Sequence, residues 1–273
     1  MEKLLTVVMP VWNGERTLRS LLESLVAGAD DFDVIAVDDG STDGTRRVLA
    51  EHRVTTIRLE KNGGIAKARN CGIDAVRTRY VAFVDADCAV EKDWAAKMVR
   101  EFETLKQVYP RAAAVSGRVL PFRPHFIDRL AAYVEHWEYQ HGARAEERMK
   151  LSTANCICDT QILREVGKFD ESLTVDEDRE LGLRMVSRGF QVLYSPSVSV
   201  WHRHNRKSLS DILSHQFFWG EKTGLTNEWR YRELRKLWFL RWIRHPALYA
   251  AVVAPLAVIL TWRVVKRLLK HDW

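Results

Sequence analysis

Cysteine is scarce in this sequence: four in 273 residues, Cys71, Cys88, Cys156 and Cys158, without the spacing of a zinc site. Buried thiols in a reducing cytosol are the plain expectation, ahead of any metal or redox role. No secretory leader is expected, since the sequence goes directly into a strand-like run at Leu4. Charge is absent from residues 246–262, 17 in a row, which a surface helix would not tolerate.

What is present suits a globular core, with 47% hydrophobic residues and ten tryptophans. A chain of this length holds one large α/β domain, or a domain plus an appendage. The formal net charge of +6 is unevenly spread: residues 201–273 carry 14 Lys/Arg against 5 Asp/Glu, and residues 1–200 carry 28 against 31. An acidic body with a basic, tryptophan-rich tail implies a charged partner surface for the tail. An anionic membrane fits better than nucleic acid, because the tail also contains the long apolar run.

Apolar runs at residues 4–9, 34–37, 54–59 and 80–84 read as strands. Between them, Leu18, Leu21, Leu22 and Leu25 show helical spacing, and residues 65–76 read as a helix carrying Lys67 and Arg69. This alternation predicts a parallel sheet with helices on both faces. The polar clusters Asn13, Asp38 with Asp39, Asn62, and Asp85 with Asp87 each follow a strand, so all four should gather at one sheet edge. Asp85 and Asp87 on one short turn can offer oxygens to a hard cation such as Mg²⁺ or Mn²⁺. Such a D-x-D is short and common, and equally describes a turn using Asp for local hydrogen bonds.

Further on, residues 112–119 read as a strand, 126–141 as a helix, 152–159 as a small polar stretch and 161–166 as a short helix ended by Gly167. A helix is also expected from about Glu91. Another follows the acidic run around Glu177 and Asp178, then two extended runs, 191–194 and 198–201. Residues 212–219 read as helical and aromatic, and 229–243 as a basic amphipathic helix suited to a membrane interface. Residues 246–262 would measure about 25 Å as a helix, the lower limit for crossing a bilayer. A span kinked at Pro255, a re-entrant helix, a hairpin in one leaflet and, as the bland alternative, a soluble core helix are all compatible with that segment.

With these pieces in line the chain resembles the family 2 glycosyltransferases, which have the GT-A fold. The likeness covers about residues 4–204 and lies in five motifs in order: VVMPVWNGERTL, VDDGSTDGT, NGGIAKARNCGI, VDADCAVEKDW and FDESLTVDEDRELGLRMVSRGFQVLYSPSVSVWHRH. The resemblance implies an α/β catalytic domain over residues 1–225, with a Rossmann-like, mostly parallel sheet flanked by helices. A basic amphipathic and hydrophobic membrane-associating segment, 226–273, would follow it. It implies that Pro10, Val11, Trp12 and Asp39 contact the nucleotide and that Arg69 supports it. Asp85, with Ala86 beside it, would meet the ribose or the metal, and Asp87 the cation that bridges the diphosphate. His202 would complete the metal site. Asp178 resembles the general base, with Glu177 beside it.

The activity so implied is inverting, divalent-cation-dependent transfer of a sugar from a nucleotide donor, a UDP-sugar by expectation. The acceptor would be a hydroxyl of a glycan or lipid-linked molecule, at the cytoplasmic face of the membrane. The Q-x-x-R-W signature of processive synthases is absent; the matching stretch reads HQFFWG, so one or a few sugars are expected. A polyprenyl-phosphate sugar transferase would need no base, and the Glu177–Asp178 pair counts against it. A nucleotidyltransferase would open with a Gly-rich basic loop, where this chain has only Gly14 and Arg16. A haloacid-dehalogenase-type hydrolase would carry D-x-D on its first strand. A non-catalytic membrane-held scaffold is the remaining alternative.

Overall fold

The first strand, β1 (Leu5–Val11), is buried along its whole length, as a strand with neighbours on both sides and helices on both faces must be. In the computed structural model, which describes residues 3–26, 31–123, 125–136 and 145–222, β1 pairs in parallel with β2 (Asp33–Asp38) and β4 (Tyr80–Val84). Val8 stands opposite Ile35 on one side and Phe83 on the other. The ladder to β4 stops at Val8, two residues before Pro10, whose ring nitrogen has no hydrogen to donate. β3 (Thr55–Arg58) extends the parallel set beyond β2.

Alternate residues of these strands face opposite layers. Leu5, Val7 and Met9 join the core under α1 (Leu18–Val26), α2 (Thr45–Ala50) and α4 (Trp94–Val108). Val8, Val81 and Phe83 join a second core with α3 (Ile65–Ala75), α6 (Thr160–Glu165) and α7 (Glu177–Ser187). The expected two-faced arrangement is present. Gly72 lets α3 lie against β1, since a Cβ there would sit 2.4 Å from a Val8 methyl.

The rest of the sheet is mixed. The strand order is β3-β2-β1-β4-β8-β6-β9-β5, with β7 (Glu146–Arg148) also on β9. β8 (Asn155–Asp159) runs antiparallel between β4 and β6 (Ala112–Pro121). β6 is parallel to β9 (Gln191–His202), and β5 (Cys88–Val90) is antiparallel to β9. The expectation of a small polar stretch at 152–159 is thus corrected to a buried central strand. Its polar residue is satisfied inside: Asn155 accepts from Trp94 Nε1 at 3.0 Å and donates to the Arg118 and Val198 carbonyls at 2.9 and 3.1 Å. The two extended runs at 191–194 and 198–201 are one strand, with Pro196 at an irregularity in its pairing to β6, where a missing donor costs nothing. The helix expected from Glu91 starts at Trp94, because β5 precedes it.

α5 (Phe126–His136) has its expected start, and the stretch expected to continue it to residue 141 lies outside the described residues. Cys88, Cys156 and Cys158 are buried free thiols and Cys71 a half-buried one. The chain divides into two compact units at Arg206 and Lys207; of the second, residues 207–222 are described and form α8 (Leu209–Lys222) with the two residues before it. The basic and uncharged segments at 229–243 and 246–262 lie outside the described residues.

Candidate active site

β1 has β2 on one side and β4 on the other, so the chain reverses its direction of travel across the sheet there; ligands of open α/β sheets bind beyond the carboxyl ends of strands at such a point. Beyond β1, Pro10 and Val11 are buried, while Trp12 is 58% exposed. Asn13 takes a left-handed backbone conformation (φ 51°) that its short amide side chain tolerates. Its N–H donates to Ser41 Oγ at 2.9 Å and its Oδ1 accepts from Thr42 N at 2.9 Å. The loops after β1 and β2 are thereby one unit.

Asp38 and Asp39 end β2 almost wholly buried. Asp38 accepts from Ser41 N at 2.9 Å and pairs with Arg58 at 3.1 Å. Asp39 accepts from the N–H groups of Gly63 and Gly64 at 2.7 and 2.9 Å, just ahead of α3. Each carboxylate oxygen keeps a second lone pair for a ligand. The loops that carry three of the four polar clusters expected at one edge are therefore linked across β1 to β3.

The D-x-D turn follows β4. Ala86 is half-buried between the two acids. Residue Cys88 of β5 stands opposite His202 of β9, and this register sets the imidazole against the turn. His202 Nε2 lies 3.3 Å from Asp87 Oδ1 and 3.9 Å from Asp85 Oδ2. Burial, then the neighbouring Asp85 charge, raises the Asp87 carboxyl to about 7. Burial, then His204, lowers His202 to about 4, so its imidazole is neutral at neutral pH.

Arg69, on α3 and 1% exposed, joins the two ends of the site. Its Nη2 lies 3.1 Å from Asp85 Oδ1 and its Nη1 2.5 Å from Glu177 Oε1, 108 residues further along the chain. The guanidinium also stacks over the Phe169 ring at 5.4 Å. Burial opposes its charge, but Glu177, Asp85 and Asp178 outweigh that and raise its hold on the proton.

Glu177 and Asp178 open α7, behind an Asp176 held at φ 62°. Glu177 is 5% exposed and committed to Arg69. Asp178 is more open: its Oδ2 faces the N–H and hydroxyl of Thr153, each at 3.4 Å, and its Oδ1 accepts from Arg179 N at 2.7 Å. Dense surroundings, then the Glu177 charge, raise its carboxyl to about 7, while Arg69 and the two backbone N–H groups pull the other way. The two acids differ in what they can do. Glu177 anchors, and Asp178 can exchange a proton near neutrality.

Sequence reasoning had no hold on Thr153, His136, His204 or Glu135, which the fold brings to this region. Thr153 carries no motif, and His136 and Glu135 arrive on α5. The His-x-His spacing of His202 and His204, which puts alternate residues of an extended chain on one face, is the local signal that could have found His204.

Residues 6–172 match the family described as Glycosyl transferase family 2. The putative teichuronic acid biosynthesis glycosyltransferase TuaG of Bacillus subtilis is 34% identical over 245 residues, covering 87% of this chain and 91% of that protein. The pre-mycofactocin glycosyltransferase of Mycobacterium tuberculosis is 31% identical over 226 residues, covering 79% of this chain. The chain spans 46% of the length of that mycobacterial protein. Among solved structures, S. aureus TarS in complex with UDP-GlcNAc shares the fold, with a TM-score of 0.56 and 20% identity over 77% of this chain and 60% of that one. The sheet with its flanking helices is the GT-A fold, and the chain belongs to glycosyltransferase family 2.

Proposed function

We propose that this chain moves a single sugar from a nucleotide-diphosphate donor, a UDP-sugar, to a hydroxyl of a glycan or lipid-linked acceptor, with inversion at the anomeric carbon. One observation carries the reading: Arg69 ties Asp85 of the D-x-D to Glu177, next to a carboxyl whose proton is exchangeable near neutrality. Leaving-group binding and deprotonation are thus held in register by one buried guanidinium. That S. aureus TarS is known with UDP-GlcNAc, and that TuaG carries the name of a teichuronic acid enzyme, supports a UDP-sugar and a cell-envelope polysaccharide.

Asp178 takes the acceptor hydroxyl's proton, which requires it to be ionised. Thr153 and Arg179 aim its two oxygens. Asp39, and the loop that Asn13 pins to Ser41, shape the nucleotide side, with the exposed Trp12 beside it. His202 Nε2 lies against both Asp87 Oδ1 and Asp85 Oδ2, and a cation would offset the burial and the Asp85 charge that raise the Asp87 carboxyl; the donors fit Mg²⁺ or Mn²⁺. A divalent ion there would supply the positive charge that stabilises the departing diphosphate.

The basic stretch 229–243 and the uncharged residues 246–262 would hold the chain on the cytoplasmic face of an anionic membrane. Among the described residues no helix is long and apolar enough to cross one. A donor screen reading nucleoside diphosphate release, with glycan and lipid-linked acceptors, tests the reaction. Calorimetric titration of Mn²⁺ and UDP tests the site: Asp87→Ala should lose cation-dependent UDP binding, and equal binding by both proteins would remove Asp87 from it.

A further inference from the structure

Three imidazoles stand together beside the D-x-D, and two of them have no part in the sugar-transfer reading. The ring centroids of His202 and His204 are 4.4 Å apart, and His136 lies 5.1 and 5.3 Å from them. One nitrogen of each lies within 4.8 Å of the others. His204, 3% exposed, has Nδ1 on Glu135 Oε2 at 2.9 Å, and the other oxygen of Glu135 accepts from Arg206 Nε at 3.0 Å. With Glu135 accepting from Nδ1, a neutral imidazole here has its lone pair on Nε2. Among the described residues Nε2 is buried with no hydrogen-bond partner, and so is Nδ1 of His202. Buried polar atoms are rarely left so, and each one asks for a reason.

We propose that His136, His202 and His204 form a second metal site, rich in nitrogen, that takes a borderline ion of the Zn²⁺ or Co²⁺ class and refuses Mg²⁺. Imidazoles suit Zn²⁺, Co²⁺ and their neighbours, whereas Mg²⁺ demands oxygen. Three histidines with a fourth position for water is a known zinc arrangement, with metal–nitrogen distances of about 2.0–2.1 Å. A bound ion would draw the three nitrogens, now within 4.8 Å of one another, closer together. A carboxylate on the far nitrogen of a ligating histidine, the place of Glu135 on His204, is the usual support of such a site. The oxygen-rich set around Asp87 differs in chemistry but shares His202, so an ion on the three histidines competes for one of its donors. The inference stands on the imidazole geometry alone and does not need the sugar-transfer reading.

The untagged full chain is titrated with Co²⁺ in excess Mg²⁺, read by visible absorption and by equilibrium dialysis with metal analysis. The expected result is one Co²⁺ per chain, with the intense bands of a four-coordinate nitrogen site. His136→Ala and His204→Ala should lose it, and Asp87→Asn should keep it. Glu135→Gln, which removes no ligand, should weaken Co²⁺ binding by about 10–100-fold, and decides the matter if an alanine variant does not fold. Failure of the wild type to hold Co²⁺ against Mg²⁺ overturns the proposal. So does unchanged affinity in Glu135→Gln or in both folded alanine variants, or loss of Co²⁺ in Asp87→Asn, which would place the ion at the D-x-D.

Discussion

The β1–β4 half of the sheet and the β5–β9 half are built by different rules. In the first, strands run parallel with a helix between each pair, and the acids at their ends are held by backbone N–H groups within about one β-α unit, as Asp39 is by Gly63 and Gly64. In the second, β8 runs antiparallel between two strands distant from it in sequence, and β9 gathers β5, β6 and β7. Site residues there are placed by pairings that only the whole fold completes: His202 on Asp87, Thr153 on Asp178, Arg69 on Glu177. The residues beyond β1 and β2 are organised locally, and those at the D-x-D and at the start of α7 globally. Arg69 is where the two meet.

Breaking that junction should have the largest effect. Arg69→Met leaves Glu177 and Asp85 without their cation, at a cost of about 3–5 kcal/mol for a disrupted buried pair. Chemical denaturation should show that loss together with loss of UDP affinity; a stable variant with normal UDP binding would separate the two halves. Asn155→Ala strands the Trp94 indole N–H, about 1–3 kcal/mol for a buried group left unsatisfied, and removes one donor from the Arg118 and Val198 carbonyls. Because Asn155 belongs to the globally built half, the midpoint should fall with the fold retained. Gly72→Ala tests the local half: its Cβ meets Val8 and should cost about 1–3 kcal/mol by overpacking, without changing the pH dependence of turnover.

The smallest effect sharpens the comparison at one carboxyl. In the proposed role Asp178 must be ionised, and burial with the Glu177 charge raises its carboxyl to about 7, so turnover at saturating cation and donor should rise with pH through that value. Thr153→Val keeps the backbone N–H contact, removes the hydroxyl one and should move that limb to higher pH. A limb that stays in place would deny Thr153 its part in aiming Asp178.

The same contrast decides what could be read without coordinates. The strand at 80–84, the helix from Ile65 and the gathering of Asn13, Asp38 and Asp39 were legible because apolar period and loop chemistry are local properties of the chain. β8 was not, because Asn155 and Asp159 make it look like a loop, and only Trp94 and two distant carbonyls explain a buried amide there. The acids of the D-x-D and of α7 were legible through their motifs. That Glu177 is bound to Arg69 while Asp178 is left to exchange a proton depends on side chains 108 residues apart. His136 and Thr153 carry no local signal.

The division of labour between the two acidic sites is tested most directly by Asp178→Asn, assayed for Mn²⁺-dependent UDP affinity and for transfer in the same preparation. UDP affinity within about twofold of wild type, with transfer reduced by about 10²–10⁴-fold, is the predicted result. Transfer within a few-fold of wild type, or a fall in UDP affinity as large as the fall in transfer, would contradict it.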